Sequence, residues 1–322
     1  MAIPGWQRPE SPFHAGEQAI HARLGTQDMV EQQGRRFIRE SMPAQHQQFF
    51  AQLPYLLVGT VDWEGNPWAS ILVGQPGFLV PLDAQHLRVN SQPLFGDPLH
   101  NNLTVGADIG LLGIELQTRR RNRLNGTIIN QDADGFTVQV RQSFGNCPKY
   151  IQARTWQLES WDVTIPKPLR NFSQFEALEQ AFISQSDTFF IATAYQDPSA
   201  PATTGVDVSH RGGKPGFIRV DDDRILTVPD FSGNCMFNTF GNLELNPRAG
   251  LIFIDFGAGD ILYLTGNAWV VWEGEVISQY PGAERLFHFE LTQGIHMAQS
   301  LPLRGSEPEF SPFLAGLGAW VS

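Results

Sequence analysis

"NLTVGADIGLLGIELQTRRRNRLNG" (Asn102–Gly126) and "NLELNPRAGLIFIDFGAGDILYLTG" (Asn242–Gly266) align without gaps at an offset of 140 residues. Asn102, Leu103, Gly110, Leu111, Ile114, Leu124 and Gly126 recur as Asn242, Leu243, Gly250, Leu251, Ile254, Leu264 and Gly266. Self-similarity of this kind marks two copies of one structural unit. In both windows an acidic residue sits between apolar ones ("GLLGIEL", "GLIFIDF"), followed by a polar turn and a strand ending in glycine.

The repeat extends outward from this window. "YLLVGT" (55–60) matches "TFFIAT" (188–193), and "QPGFLV" (75–80) matches "KPGFIR" (214–219). A helical stretch precedes each copy. Residues 28–42 place Val30, Phe37 and Ile38 on one face behind an Asp28/Glu31 capping box, and a second helix ends near Phe49, Phe50 and Leu53. After Pro166 and Pro168, Ser173 and Glu176 form the same box before Phe175, Leu178 and Phe182. Gly65 and Asn66 suit a hairpin turn inside "YLLVGTVDWEGNPWASILVG".

Short strands divided by Gly and Pro turns predict small barrels or sandwiches, since a parallel doubly wound fold needs a helix after nearly every strand. The expected fold class is therefore mainly β (α+β): two tandem β-barrels with accessory helices. The expected divisions are a helical extension at 1–44, a first barrel at 45–160, a linker at 161–172, a second barrel at 173–275 and a C-terminal extension at 276–322.

Charged residues make up only 17% of the chain against 42% hydrophobic, which predicts a sizeable buried interface. A net charge of -11 works against nucleic acid and anionic membranes as partners. Cys147 and Cys235 are the only cysteines, too few for a disulfide framework or a cysteine-only metal site, and they suit a reducing, cytoplasmic setting. "MAIPGWQRPESPFHAGE" has no signal-peptide pattern, and no uncharged apolar run is long enough to span a bilayer. No HExxH, P-loop or GxSxG motif occurs, and no metal is expected.

Against this acidic background, local basic clusters stand out. In "DVSHRGGKPGF" (Asp207–Phe217) glycines allow close backbone approach to an anion, Arg211 can grip two phosphate oxygens and Lys214 adds a point charge. A solvated turn is the alternative. The first copy, "SILVGQPGF" (Ser70–Phe78), keeps the PGF but has no arginine or lysine. The shared part is then architecture, and the basic part an addition for one phosphate site in the second copy. In "TRRRNRLNG", strand alternation puts Arg119, Arg121 and Arg123 on one face and Arg120 on the other. Either an exposed edge or an anionic ligand in an inter-barrel cleft accounts for them. His210 beside Arg211 is disfavoured as a protonated group, and Cys147 reads as a packed thiol.

The order helix, hairpin, "RGGKPGF", "ILTVPDFSGN", "GNLELNPRAGLIFIDF", "LYLTGNA" resembles the pyridoxamine 5'-phosphate oxidase-like FMN-binding split-barrel family. "QSFGNCPKYIQAR" between the repeats is similar to a bacterial subgroup with two barrels in one chain, over roughly residues 45–275. The resemblance implies Greek-key split barrels that form an intramolecular pseudo-dimer, FMN where they meet, and dimerisation of whole chains as a further option. It implies cofactor contacts at Ser209, Arg211, Asp230 and Asn234, with Lys214 beside them and Gln142–Ser143 reaching the flavin from the partner barrel. Asn146, Lys149 and Tyr150 would orient a small-molecule substrate. The implied activity is FMN-dependent oxidoreduction with NADH or NADPH as reductant and no assigned catalytic residue. A non-catalytic flavin or tetrapyrrole carrier, and an assembly scaffold without ligand, are the alternatives.

Overall fold

The computed structural model describes residues 5–321, so the first four residues of the 1–44 extension and the last of the 276–322 extension lie outside the described residues. The chain opens with α1 (Ala15–Arg23), α2 (Gln27–Phe37) and α3 (Ala44–Ala51). The first sheet follows, built from β1 (Tyr55–Val61), β2 (Pro67–Val73), β3 (Leu79–Pro81), β4 (His86–Val89), β5 (Asp108–Glu115), β6 (Arg120–Asp132) and β7 (Gly135–Asn146), with α4 (Leu99–Asn102) before β5. β8 (Trp156–Leu158), β9 (Leu169–Phe172) and α5 (Ala177–Gln185) lead to the second set. That set is β10 (Thr188–Tyr195), β11 (Gly205–Gly212), β12 (Arg219–Val220), β13 (Ile225–Asp230), β14 (Arg248–Ile254), β15 (Ile261–Val271) and β16 (Arg285–Met297), with α6 (Asn238–Leu245) before β14. β17 (Leu303–Gly305) pairs with β8.

The sheet orders are β2-β1-β5-β6-β7-β4-β3 and β11-β10-β14-β15-β16-β13-β12. Strand for strand these are the same Greek-key path, so the chain is a mainly β protein of two tandem split barrels. The second sheet requires β16 between β15 and β13 and runs to Met297, past the expected boundary at 275. The proline-rich "DVTIPKPLRNF" likewise ends in a strand, β9, paired with β16. The local caps differ from expectation too. α2 starts after Thr26 without a side-chain cap, and α5 is boxed by Glu176 and Glu179 because the helix begins three residues later than Ser173 suggests. Phe37 and Leu178 are exposed.

All seven repeated identities have a physical cause. The Asn102 and Asn242 amides donate to Thr60 and Thr193 at 3.2 and 3.1 Å, a buried bond made once per copy. Leu103, Leu111 and Leu124 pack in or against the first barrel's interior, and Leu243, Leu251 and Leu264 in the second. Gly126 and Gly266 follow equivalent bulges, where a Cβ would press on Gln139 O and Glu290 O. Ile114 and Ile254 belong to the core shared by both barrels.

Gly110 and Gly250 define how the barrels meet. A Cβ on Gly110 would lie 2.6 Å from Val206 O on β11, and one on Gly250 would lie 2.3 Å from Pro67 O on β2. β2 and β11 are counterparts, so each barrel offers the other the same contact. This reciprocity is the mark of a two-fold interface, here within one chain. β1 therefore buries both faces: Leu56 and Val58 point into the first barrel, Tyr55 and Leu57 into the shared core. That is why it reads as a continuous apolar run and why the chain needs so little charge.

One carboxyl lies in this core. Asp97 accepts bonds from Ser70 Oγ (2.6 Å), Leu99 N (2.8 Å) and Tyr263 Oη (3.0 Å), yet burial outweighs them and pushes its pKa up to about 6. A raised pKa means that the folded state binds the proton more tightly than the unfolded chain. The associated stability is fully present below about pH 4 and is lost as pH rises through about 6. Asp97→Asn is expected to flatten the stability profile between those limits, measured by urea unfolding. A slope equal to that of the unsubstituted protein would contradict this assignment. Among the described residues, no helix is long and apolar enough to cross a membrane.

Candidate functional site

A cleft of about 310 Å³ opens where β6 and the end of β7 face β11, β13 and α6 of the other barrel. Arg121 lies opposite Asn146 and Arg123 opposite Phe144 in the β6–β7 ladder, and both arginines enter the cleft. Arg119 is not on the strand: its φ is 59° and it donates to Ile151 O (3.0 Å) and Glu309 (2.9 Å). Arg120 turns away to stack on Phe49 at 4.6 Å. From the second barrel come Ser209 and Arg211 on β11, Asp230 at the end of β13, and Asn234 beyond it.

Carboxylates fix most of these cations. Asp207 accepts from Arg123 (2.9 Å), Asn125 (2.7 Å) and Asn242 (3.1 Å), a buried pair spanning the two barrels. Arg123 also donates to Ser209, whose hydroxyl is bonded by Thr239 at 3.0 Å. Asp230 accepts from Arg211 and from Arg285 (3.1 Å), while Arg211 stacks on Phe240 (4.7 Å) and Arg285 on Phe237 (4.9 Å). Asp230 thus stands behind the arginines as their counter-ion.

Positive charge is nevertheless in excess. Arg121 makes one bond, from Nε to Cys147 O at 2.7 Å, and no carboxylate pairs with it among the described residues. Burial, then Arg123 and Arg211, push its pKa down to about 10, so it stays charged at neutral pH. Arg211 Nε and Asn146 Nδ2 are buried without a partner. A buried donor left unpaired costs free energy, which makes these atoms places for a ligand acceptor. His210 is buried edge-on to Phe190 (5.6 Å). Burial, followed by Arg121 and Arg211, holds its pKa well below the ordinary value, and the ring is neutral.

Two loops close the mouth. Lys149 Nζ and Tyr150 Oη donate to Ser232 O at 3.4 and 3.0 Å, and Asn234 reaches Asn146 at 3.5 Å. Tyr150, Cys235 and Phe237 have φ of 64°, 59° and 56°, three of the five such non-glycine residues described. Strained backbone collects where function requires a particular geometry. Cys147 and Cys235 are free, half-buried thiols on this rim.

Of the sequence-predicted residues, Arg121, Arg123, Ser209, Arg211, Asp230 and Asn234 come together. Three do not. Lys214 sits exposed on the glycine turn beyond β11, outside the cleft lining. Gln142 lies four residues, about 13 Å, along β7 from Asn146, and its amide donates to Pro12 O (3.0 Å) and Ala202 O (3.3 Å). Ser143 points to the opposite face, fully buried and bonded to His46 Nδ1 at 2.9 Å. Both anchor the N-terminal helices. Arg285, Thr239, Phe240 and the N-terminal Leu24 and Thr26 are lining residues that sequence reasoning missed. Arg285 was findable only by recognising β16 as the seventh strand.

The two-fold counterpart of the cleft has lost its charge. Ile261 and Tyr263 stand where Arg121 and Arg123 do, Met297 opposite Ile261 replaces Asn146, and the β1–β2 register makes Leu72 the counterpart of Arg211. All four are buried. Among the described residues the two-fold pair therefore keeps one basic cleft, not two.

No protein-family model and no curated protein matches the chain. Among solved structures it is similar to HupZ of Group A Streptococcus at 14% identity, over 36% of this chain and 90% of that one, with a TM-score of 0.29. It is also similar to a candidate pyridoxamine 5'-phosphate oxidase from Lactobacillus delbrueckii (12% identity, 38% and 94% coverage, TM-score 0.31). A third is a FAD-binding protein from Mesorhizobium loti (13% identity, 40% and 97% coverage, TM-score 0.25).

Proposed function

We propose that the chain is a flavoprotein that holds one flavin mononucleotide in the inter-barrel cleft and acts as an oxidoreductase on a small substrate. The observation that carries this reading is the set of unused donors, Arg211 Nε, Asn146 Nδ2 and the Arg121 guanidinium, gathered in one cleft of small-molecule size. A phosphate monoester brings a charge of about -1.5 to -2 and three strong acceptors, which suits that set. Tyr150, Phe231 and Phe237 supply aromatic walls for a planar ring.

Bound flavin would supply the hydride chemistry. The residues' part is to bind and orient: Arg211 and Arg121 would hold the phosphate, with Asp230 fixing Arg211 and Asp207 fixing the neighbouring Arg123, and Lys149 and Tyr150 border the substrate's entrance. His210, whose pKa burial holds well below the ordinary value, lies edge-on to Phe190 in the lining. The second reading is a carrier that binds flavin or a tetrapyrrole without turnover.

Purified protein is expected to be yellow, with a released pigment that runs as FMN. A colourless protein that takes up no added FMN would sink the flavin reading. Anaerobic bleaching of the bound flavin by NADH or NADPH separates oxidoreductase from carrier.

A further inference from the structure

We infer that the opposite, two-fold-related end of the interface is a second small-molecule site, one that takes an uncharged aromatic molecule with a single hydrogen-bonding group. The repeat locates it. Carried outward from the aligned window, the 140-residue offset sets Leu94 and Phe95 against Asn234 and Cys235, and the Asn146–Met297 correspondence of the β6–β7 and β15–β16 registers, continued past the strand ends, sets Ser300 and Leu301 against Lys149 and Tyr150. These four residues line a separate cavity of about 360 Å³, of small-molecule size, whose roof is Trp161 and Val163 from the segment joining the barrels. The deep part of the old site is filled by Ile261, Tyr263 and Met297, but its mouth is open.

Chemistry assigns the ligand class. The charged side chains around the cavity balance: Glu159 is bridged to Arg304 at 3.2 Å, and Asp162 and Lys167 complete an equal number of each sign. No excess cation invites an anion, in contrast to the first cleft. The walls are apolar and aromatic, from Leu94, Phe95, Trp161 and Leu301. Among the polar atoms of the lining, one is buried without a partner. The Ser300 hydroxyl belongs to a side chain on a residue only 8% exposed and has no partner in the protein. A buried hydroxyl without a partner is stabilised by a ligand that brings one. Gln299, next to it, holds a φ of 49°, the same kind of strained backbone seen at the first cleft. Duplication has thus left two clefts of opposite character, one basic and one neutral.

The test uses the full chain and 2-naphthol, a neutral two-ring probe with one hydroxyl, followed by isothermal titration calorimetry with excess FMN present. Saturable 1:1 binding is expected, with 2-naphthoate, of similar shape but anionic, at least tenfold weaker. Ser300→Ala is expected to weaken 2-naphthol about fivefold, and Leu301→Trp, which fills the cavity, to abolish it. Arg121→Ala should leave 2-naphthol binding within twofold. No saturable binding, or binding unchanged in both Ser300→Ala and Leu301→Trp, overturns the assignment. Should Leu301→Trp fail to fold, Ser300→Ala and protection of Trp161 from N-bromosuccinimide by 2-naphthol decide it, and absence of both effects counts against the site.

Discussion

Replacing Arg211 with alanine is expected to weaken FMN binding by about 100-fold, whereas Gln75→Ala, in the counterpart turn of the first barrel, changes it by less than about twofold. The size follows from what is removed. Truncating one member of a buried, hydrogen-bonded charge pair costs roughly 2–5 kcal/mol, and each ~1.4 kcal/mol is tenfold in affinity. Arg211 contributes an unpartnered buried Nε to the cleft, is braced by Asp230 and stacks on Phe240. Gln75 is exposed and is not among the residues that line the basic cleft. Titration by quenching of FMN fluorescence measures both. Equal effects of the two substitutions would contradict a single site, and Arg121→Ala should fall near Arg211→Ala.

The second large effect concerns the joint between the barrels. Gly110→Val is expected to destabilise the chain by about 3 kcal/mol or more, because the new side chain meets backbone, which cannot rotate away. Its Cβ alone would lie 2.6 Å from Val206 O and 3.0 Å from Asp207 Cα. Those residues carry the Arg123–Asp207 pair, so the cleft should loosen with the joint. Gly250→Val, against Pro67 and Trp68, should be as damaging, as the two-fold relation requires. Gly316→Ala, with open space around it, is expected within about 0.5 kcal/mol of the unsubstituted chain. Thermal unfolding of the three variants distinguishes a joint held by these glycines from one indifferent to them.

Much of the architecture was legible because the repeat records it. Each of the seven identities reports a constraint that both copies share: a bulge, a close backbone approach, a buried amide bond or a core position. The loss of basic residues from "SILVGQPGF" relative to "DVSHRGGKPGF" likewise pointed to one charged cleft, and in the structure Leu72 occupies the counterpart of Arg211. What stayed hidden depends on long-range placement. β16 follows a stretch with no repeat signal, so Arg285 and its bond to Asp230 were out of reach. Gln142 and Ser143 sit on the right strand, but their distance from Asn146 and the alternation of faces are visible only once β7 is placed. Lys214 belongs to the same short motif as Arg211, yet the strand ends at Gly212 and the turn carries it away from the cleft. Leu24 and Thr26 reach the lining because α1 packs on α6 through Gly16 and Gly241, a contact between segments more than 200 residues apart.

The most direct test of the central claim is the stoichiometry of FMN binding to the full chain, measured by calorimetric titration of the apo-protein. One flavin per chain, lost together in Arg121→Ala and Arg211→Ala and retained in Leu72→Ala, is the predicted result. Two flavins per chain, or none, would contradict it.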